Sequence, residues 1–328
     1  MALSIGIDVG GTNLRIGVFS GLQLIEETRF QADFTLICKE NYIKDIQPKD
    51  NLSKDNLSKD SLPKDTQPNK AWQKILGLIT DAIQSVLARY PDALTIGIGF
   101  PGFIHPKTQI IAQSPNLPGL ENVNLAADLS AKIGKKITLV NDANAAAFGE
   151  YFLADKPSEG LIYLGLGTGV GGGLILNSKP YAGQIGAAME VGHIIIEANG
   201  RKCGCGNLGC MEQYASATGV AISYFNKTQL QLSAHKIAQL AANGDKNALN
   251  AYNQAGESLA IALAHILKVI DVPNVTIGGG MSQAWPLMQV AFDARLNADL
   301  IPVLRGKIKV NVANADDSAG MLGAAMLA

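Results

Sequence analysis

The chain has 328 residues, with 27 basic against 28 acidic side chains and 47% apolar residues. That length exceeds one small core and suits two packed lobes of a well-buried globular protein. A net charge of -1 leaves no basic footprint for nucleic acid, no apolar run of about 18 residues is present to span a membrane, and "MALSIGIDVGGTN" lacks the regions of a secretory leader, so a cytoplasmic protein is expected.

In chain order, residues 3–9 predict a buried strand, and alternating patterns over 14–19 and 22–30 extend it into an antiparallel three-strand start, with Ser20-Gly21 as a tight turn. "FTLICKE" (34–40) predicts a strand holding Cys38 as an inert core thiol. Between 44 and 70, Lys-Asp recurs at an interval of five, a period of neither helix nor strand, and large apolar residues are scarce; a solvated, disordered insertion is expected. Trp72, Ile75, Leu76, Ile79, Ile83, Val86 and Leu87 trace one face of a helix. A strand (94–99), a helix (125–133), a strand (137–140) and a helix from 143 follow. The second half restarts with strands at 160–166, 170–176 and 179–181. Helices dominate 213–270, and a strand (274–278), a helix (283–298), a strand (307–312) and a short helix (318–327) close the chain.

The two halves repeat one plan: antiparallel strands around a glycine turn, then alternating helix and strand. This predicts an α/β protein with a first lobe over 1–143, a second over 144–312, and a C-terminal segment (313–328) packing back on the first. The glycine turns suggest phosphates held in a cleft between the lobes. In "DVGGTN" (8–13), Gly10 and Gly11 allow close backbone approach, Thr12 adds a donor, and Asp8 is placed to hold a hydrated magnesium; an ordinary hairpin turn would read the same. "GLGTGVGGG" (165–173) contains G-x-G-x-x-G, but a strand follows it where a dinucleotide fingerprint needs a helix, so a second phosphate turn fits better. "IGGGMS" (277–282) allows backbone approach to an adenine or ribose, or is a plain turn between strand and helix.

In "NDANAAAFGE" (141–150), Asp142 stands at a strand's carboxyl end, where open α/β sheets place ligands and where a carboxylate can take a proton from a hydroxyl; capping the next helix is its other use. "CGCGNLGC" (203–210) gathers three of the four cysteines. A reducing compartment disfavours a disulfide. Three thiols lack one ligand of a tetrahedral zinc site, and His193 in "MEVGH" is the nearest histidine. His193, Cys203, Cys205 and Cys210 therefore make a closed, structural Cys3His site, with incidental free thiols as the alternative. Glu190 and Glu212 flank this loop and suit recognition of sugar hydroxyls.

"GIDVGGTN", "GIGFPG" (97–102), "NDANAAAFGE", "LGTGVGGG", "EVGH", "CGCGNLGCME" and "IGGGMS" together resemble the ROK family of bacterial sugar kinases and sugar-responsive repressors, in order over nearly the whole chain outside 44–70. "SPNLPGLENVNL" and "CGCGNLGCMEQYAS" resemble its glucokinases most. The resemblance implies a two-lobed actin-like, ribonuclease H-like ATPase fold that binds ATP and sugar between the lobes. It implies Asp142 as catalytic base, Asn141 as a sugar contact, Glu190, His193 and Glu212 on sugar hydroxyls, with His193 also on zinc. Gly10, Gly11, Thr12, Gly167, Thr168, Gly169, Gly279 and Gly280 would line the nucleotide site beside Asp8. Expected ligands are ATP, Mg2+, structural Zn2+ and glucose, in a homodimer or homotetramer. Met189 departs from the pattern, since the family usually has glycine just before this glutamate.

The expected reaction is transfer of the γ-phosphoryl of ATP to a hexose hydroxyl, giving glucose 6-phosphate from glucose. Alternatives are a kinase for N-acetylmannosamine, N-acetylglucosamine or fructose, and a sugar-sensing regulator without a DNA-binding domain.

Overall fold

A computed structural model describes residues 2–45, 70–154, 156, 160–313 and 318–328. Of the Lys-Asp repeat expected as a disordered insertion over 44–70, residues 46–69 lie outside the described residues, while Lys44, Asp45 and Lys70 at its ends are helical rather than disordered. The chain divides into two compact units, Met1–Asp142 with Ala324–Ala328, and Ala143–Gly323.

The first unit opens with β1 (Leu3–Val9), β2 (Asn13–Ser20) and β3 (Gln23–Gln31), paired antiparallel as the alternation predicts. "FTLICKE" is not a strand. It opens α1 (Phe34–Asp45). Phe34, Ile37 and Cys38 are buried while Leu36 is 50% exposed, a helical spacing. Asp33 Oδ1 accepts from the Leu36 amide at 2.8 Å, which satisfies one free donor of the first turn. A short apolar run fits either period, and this cap decides it.

Helix α2 (Lys70–Leu87) buries Trp72, Ile75, Leu76, Ile79, Ile83 and Val86. Each such aliphatic side chain contributes about 1.5–3 kcal/mol. β4 (Thr95–Phe100) follows, then a small antiparallel sheet absent from the sequence reading: β5 (Phe103–Ile104), β6 (Ile111–Gln113) and β7 (Glu121–Val123). Helix α3 (Leu125–Ile133) is capped by the Asn124 side chain and ended by Gly134 at φ 73°. β8 (Ile137–Asn141) completes a sheet ordered β3-β2-β1-β4-β8, in which β1, β4 and β8 run parallel.

The second unit begins within α4 (Asp142–Leu153) and repeats the plan. β9 (Leu161–Leu166), β10 (Val170–Leu176) and β11 (Lys179–Pro180) pair antiparallel. Helices α5 (Glu212–Ala215), α6 (Ala217–Thr228), α7 (Ala234–Ala242) and α8 (Lys246–Ile270) follow. After β12 (Asn274–Gly278) come a 3-10 turn, α9 (Trp285–Asp299) and β13 (Lys309–Val312), giving the order β11-β10-β9-β12-β13. The core of this unit gathers Ile162, Leu164, Val275 and Ile277 of the sheet with Leu259, Leu263 and Phe292 of the helices. The C-terminal segment expected to pack on the first lobe from residue 313 onward divides differently. Its helix α10 runs Ala319–Leu327, and only Ala324–Ala328 belong to the first unit.

Candidate active site

In the first unit the carboxyl ends of β1, β4 and β8 share one edge of the sheet, because the three strands are parallel. That edge carries Asp8, the turn Gly10–Thr12, the segment ending at Gly102, and Asn141 with Asp142. Asp8 is half-buried and Thr12 exposed. The Gly10 amide donates to Asn13 O at 2.9 Å, and Gly11 O accepts from the Thr35 amide at 3.0 Å, so α1 braces the turn. Asn141 Nδ2 donates to Gly102 O at 3.1 Å. Asp142 is half-buried and is the first residue of α4, where the helix dipole favours its carboxylate.

In the second unit β9 and β10 are joined by Gly167–Gly169, closed by Gly167 N donating to Gly169 O at 2.9 Å. Two contacts from the helices hold this tip: Thr218 Oγ1 donates to Thr168 O at 2.8 Å, and the Ala217 amide to Gly167 O at 2.9 Å. Gly279 and Gly280 lie beside the same strand, since a side chain at Gly279, φ 78°, would run into the Leu166 carbonyl. Gly167–Gly169 and Gly279–Gly280 thus gather at one sheet edge, as Gly10–Thr12 and Asp142 do in the first unit.

Glu190, His193 and Glu212 are brought together beside this hairpin. Glu212 Oε2 accepts from the Val170 amide at 2.9 Å. Gly192 approaches Val170 O too closely for any side chain. A Cβ on Gly172 would sit 2.6 Å from Met189 O. Glu190 Oε2 lies 3.8 Å from His193 Nε2, while His193 Nδ1 lies 3.6 Å from Cys203 Sγ. One imidazole nitrogen therefore faces the thiols and the other faces Glu190. Met189 adopts φ 65°, the left-handed region that favours glycine.

The ligand atoms of His193, Cys203, Cys205 and Cys210 all lie within 4.8 Å of one another. Cys205 Sγ and Cys210 Sγ are 3.6 Å apart, far beyond a disulfide bond. Metal–sulfur bonds of about 2.3 Å and a metal–nitrogen bond of about 2.0 Å set tetrahedral edges of roughly 3.5–3.8 Å. The two 3.6 Å separations match such edges, so this donor set fits a four-coordinate soft cation.

Arg201 clamps the loop to the helices. Its guanidinium donates to Gln213 O at 2.6 Å, Gly219 O at 3.1 Å and Ser223 Oγ at 2.9 Å, and stacks 4.3 Å from the Tyr214 ring centre. Burial pulls its pKa below the usual arginine value. Gln213 Nε2 reaches Cys203 Sγ at 3.7 Å. Arg201, Gln213 and Thr218 escaped the sequence reading, which had no local pattern to mark them.

The sequence pattern of the ROK family matches residues 52–328. The chain belongs to the ROK family. An N-acetyl-D-glucosamine kinase of Shigella boydii serotype 4 (strain Sb227) is 32% identical over 98% of each chain. A glucokinase of Thermotoga maritima is 33% identical over 72% of this chain and 79% of its own. Among solved structures, a ROK family glucokinase from Streptomyces griseus in complex with glucose and AMPPNP aligns with a TM-score of 0.74 at 27% identity, over 100% of this chain and 99% of that one. This ROK protein has the two-lobed actin-like fold of those neighbours. Among the described residues no helix is long and apolar enough to cross a membrane.

Proposed function

We propose that this ROK protein is an ATP-dependent sugar kinase that transfers the γ-phosphoryl of ATP to a hydroxyl of glucose, with Asp142 as general base. The observation that carries the reading is Asp142 itself: a half-buried carboxylate at the junction of β8 and α4, beside an Asn141 fixed to Gly102. Asp142 would accept the hydroxyl proton as that oxygen attacks the γ-phosphorus in line. Asn141, Glu190, His193 and Glu212 would bind the sugar's other hydroxyls. The amides around Gly10–Thr12, Gly167–Gly169 and Gly279–Gly280 would cradle the nucleotide. Magnesium near Asp8 would neutralise phosphate charge. Zinc on His193, Cys203, Cys205 and Cys210 would be structural, with no open position.

A second reading, phosphorylation of N-acetylglucosamine, is favoured by the full-length cover of the N-acetylglucosamine kinase relative against 72% for the Thermotoga glucokinase. The test is sugar-dependent ADP release with magnesium-ATP on glucose, N-acetylglucosamine, N-acetylmannosamine, mannose and fructose. Preference for glucose supports the first reading, and preference for N-acetylglucosamine the second. Asp142→Asn should keep sugar binding and lose about 10²–10⁴-fold in kcat. Near-normal turnover in that variant would refute the base assignment.

A further inference from the structure

Strand β8 delivers Asn141 and Asp142, and it is an edge strand: its ladder partner is β4 alone among the described residues. A strand sends every second amide to each side. Along the outer side of β8, two amides spaced two residues apart are each met by a side chain. Ile137 N donates to Ser130 Oγ at 3.1 Å, and Leu139 N donates to Gln109 Oε1 at 2.6 Å. Next along the strand, the Asn141 side chain donates to Gly102 O in the segment that follows β4. Two outer amides of β8 are thus met by side chains on the approach to Asp142.

Gln109 reaches β8 from the turn between β5 and β6, and its backbone stands at φ 60°. That region favours glycine, and a residue with a side chain is strained there. The turn is held firmly nonetheless. Gln109 N donates to His105 O at 2.9 Å, His105 N to Ile110 O at 2.9 Å, and the Thr108 amide to His105 Nδ1 at 3.2 Å. A side chain sits where the backbone favours none, and its amide oxygen ends on the strand that carries the base.

We infer that Gln109 is a positioning residue for phosphoryl transfer: its Oε1 bond to the Leu139 amide fixes β8, and thereby the aim of the Asp142 carboxylate. This rests on the reading of Asp142 as the base. A misplacement of about 1 Å caused by a change far from the chemistry can cost about a hundredfold in rate.

The test compares Gln109→Met, which removes the acceptor at similar size, Gln109→Gly, which removes it while relaxing the backbone, and Gln109→Glu, which keeps an acceptor oxygen. Steady-state kinetics are read together with hydrogen exchange at the Leu139 amide. Gln109→Met and Gln109→Gly should lose roughly tenfold in kcat with KM within about twofold, and exchange faster at Leu139. Gln109→Glu should restore both. Gln109→Gly guards against misfolding, since glycine is at ease at φ 60°. Normal kcat in Gln109→Gly, or equal loss in Gln109→Glu and Gln109→Met, overturns the inference. With Asp142→Asn run alongside, an inactive Asp142→Asn beside a fully active Gln109→Gly sinks the Gln109 role alone. An active Asp142→Asn sinks the base reading and the inference with it.

Discussion

Replacing Gly172 by alanine probes the packing that holds Glu190. Gly172 is buried on β10, opposite Leu164 of β9. A methyl group there would lie 2.6 Å from Met189 O and 2.7 Å from Val191 Cγ2. Even a favourable C–H···O contact needs about 3.3 Å, so the two backbones must part by roughly 0.7 Å. Neither gives easily. Gly172 is locked in the β9–β10 ladder, and Met189 already holds a left-handed backbone. Overpacking of this kind costs about 1–3 kcal/mol. For a unit the size of residues 143–323, that lowers Tm by about 3–10 °C. Glu190 follows Met189 directly, so the same displacement should cut kcat/KM at least tenfold. Differential scanning fluorimetry and sugar-dependent ADP release measure the two effects. Gly204→Ala, in a loop where a Cβ meets nothing within 4 Å, is the stability control. If Gly172→Ala melts with the wild type and turns over normally, the 189–191 segment does not press on β10, and the argument for a pre-set Glu190 fails.

Metal analysis should find about one zinc per chain, lost in Cys203→Ser together with a lower Tm; zinc retained in full by that variant would count against the proposed ligand set. At Met189, valine should destabilise more than glycine, because a β-branched residue tolerates φ 65° worst; equal melting temperatures would remove the strain argument. Acid should loosen the first unit at β3. Burial works against the Glu27 carboxylate, but hydrogen bonds from Arg15 at 2.9 Å and Arg29 at 2.6 Å outweigh it and hold its pKa below the ordinary glutamate value. A depressed folded pKa means stability that is present above the unfolded value and lost as pH falls through the folded one. Glu27→Gln should flatten that loss in a pH series of melting curves, and an unchanged slope would assign it elsewhere.

Local pattern alone determined much of this protein. Glycine turns after buried strands marked Gly10–Thr12 and Gly167–Gly169, the helical spacing from Trp72 to Val86 marked α2, and Cys203, Cys205, Cys210 with His193 announced a ligand set, because each signal lies within a few residues of chain. The tertiary structure alone decided what depends on distant partners. Whether "FTLICKE" coils or extends was settled by the Asp33 cap and by burial of Phe34, Ile37 and Cys38. The small sheet β5–β7 is too short to show a period, and it escaped notice with Gln109, whose partner Leu139 lies 30 residues away. Arg201 carries no mark in its local sequence, yet it is a half-buried clamp whose acceptors come from three helices. Nothing in the local sequence announced that one Glu212 oxygen accepts from the Val170 amide, 42 residues upstream. Periodicity reports which face of an element is buried; which donor meets which acceptor is fixed only when elements far apart in sequence pack together.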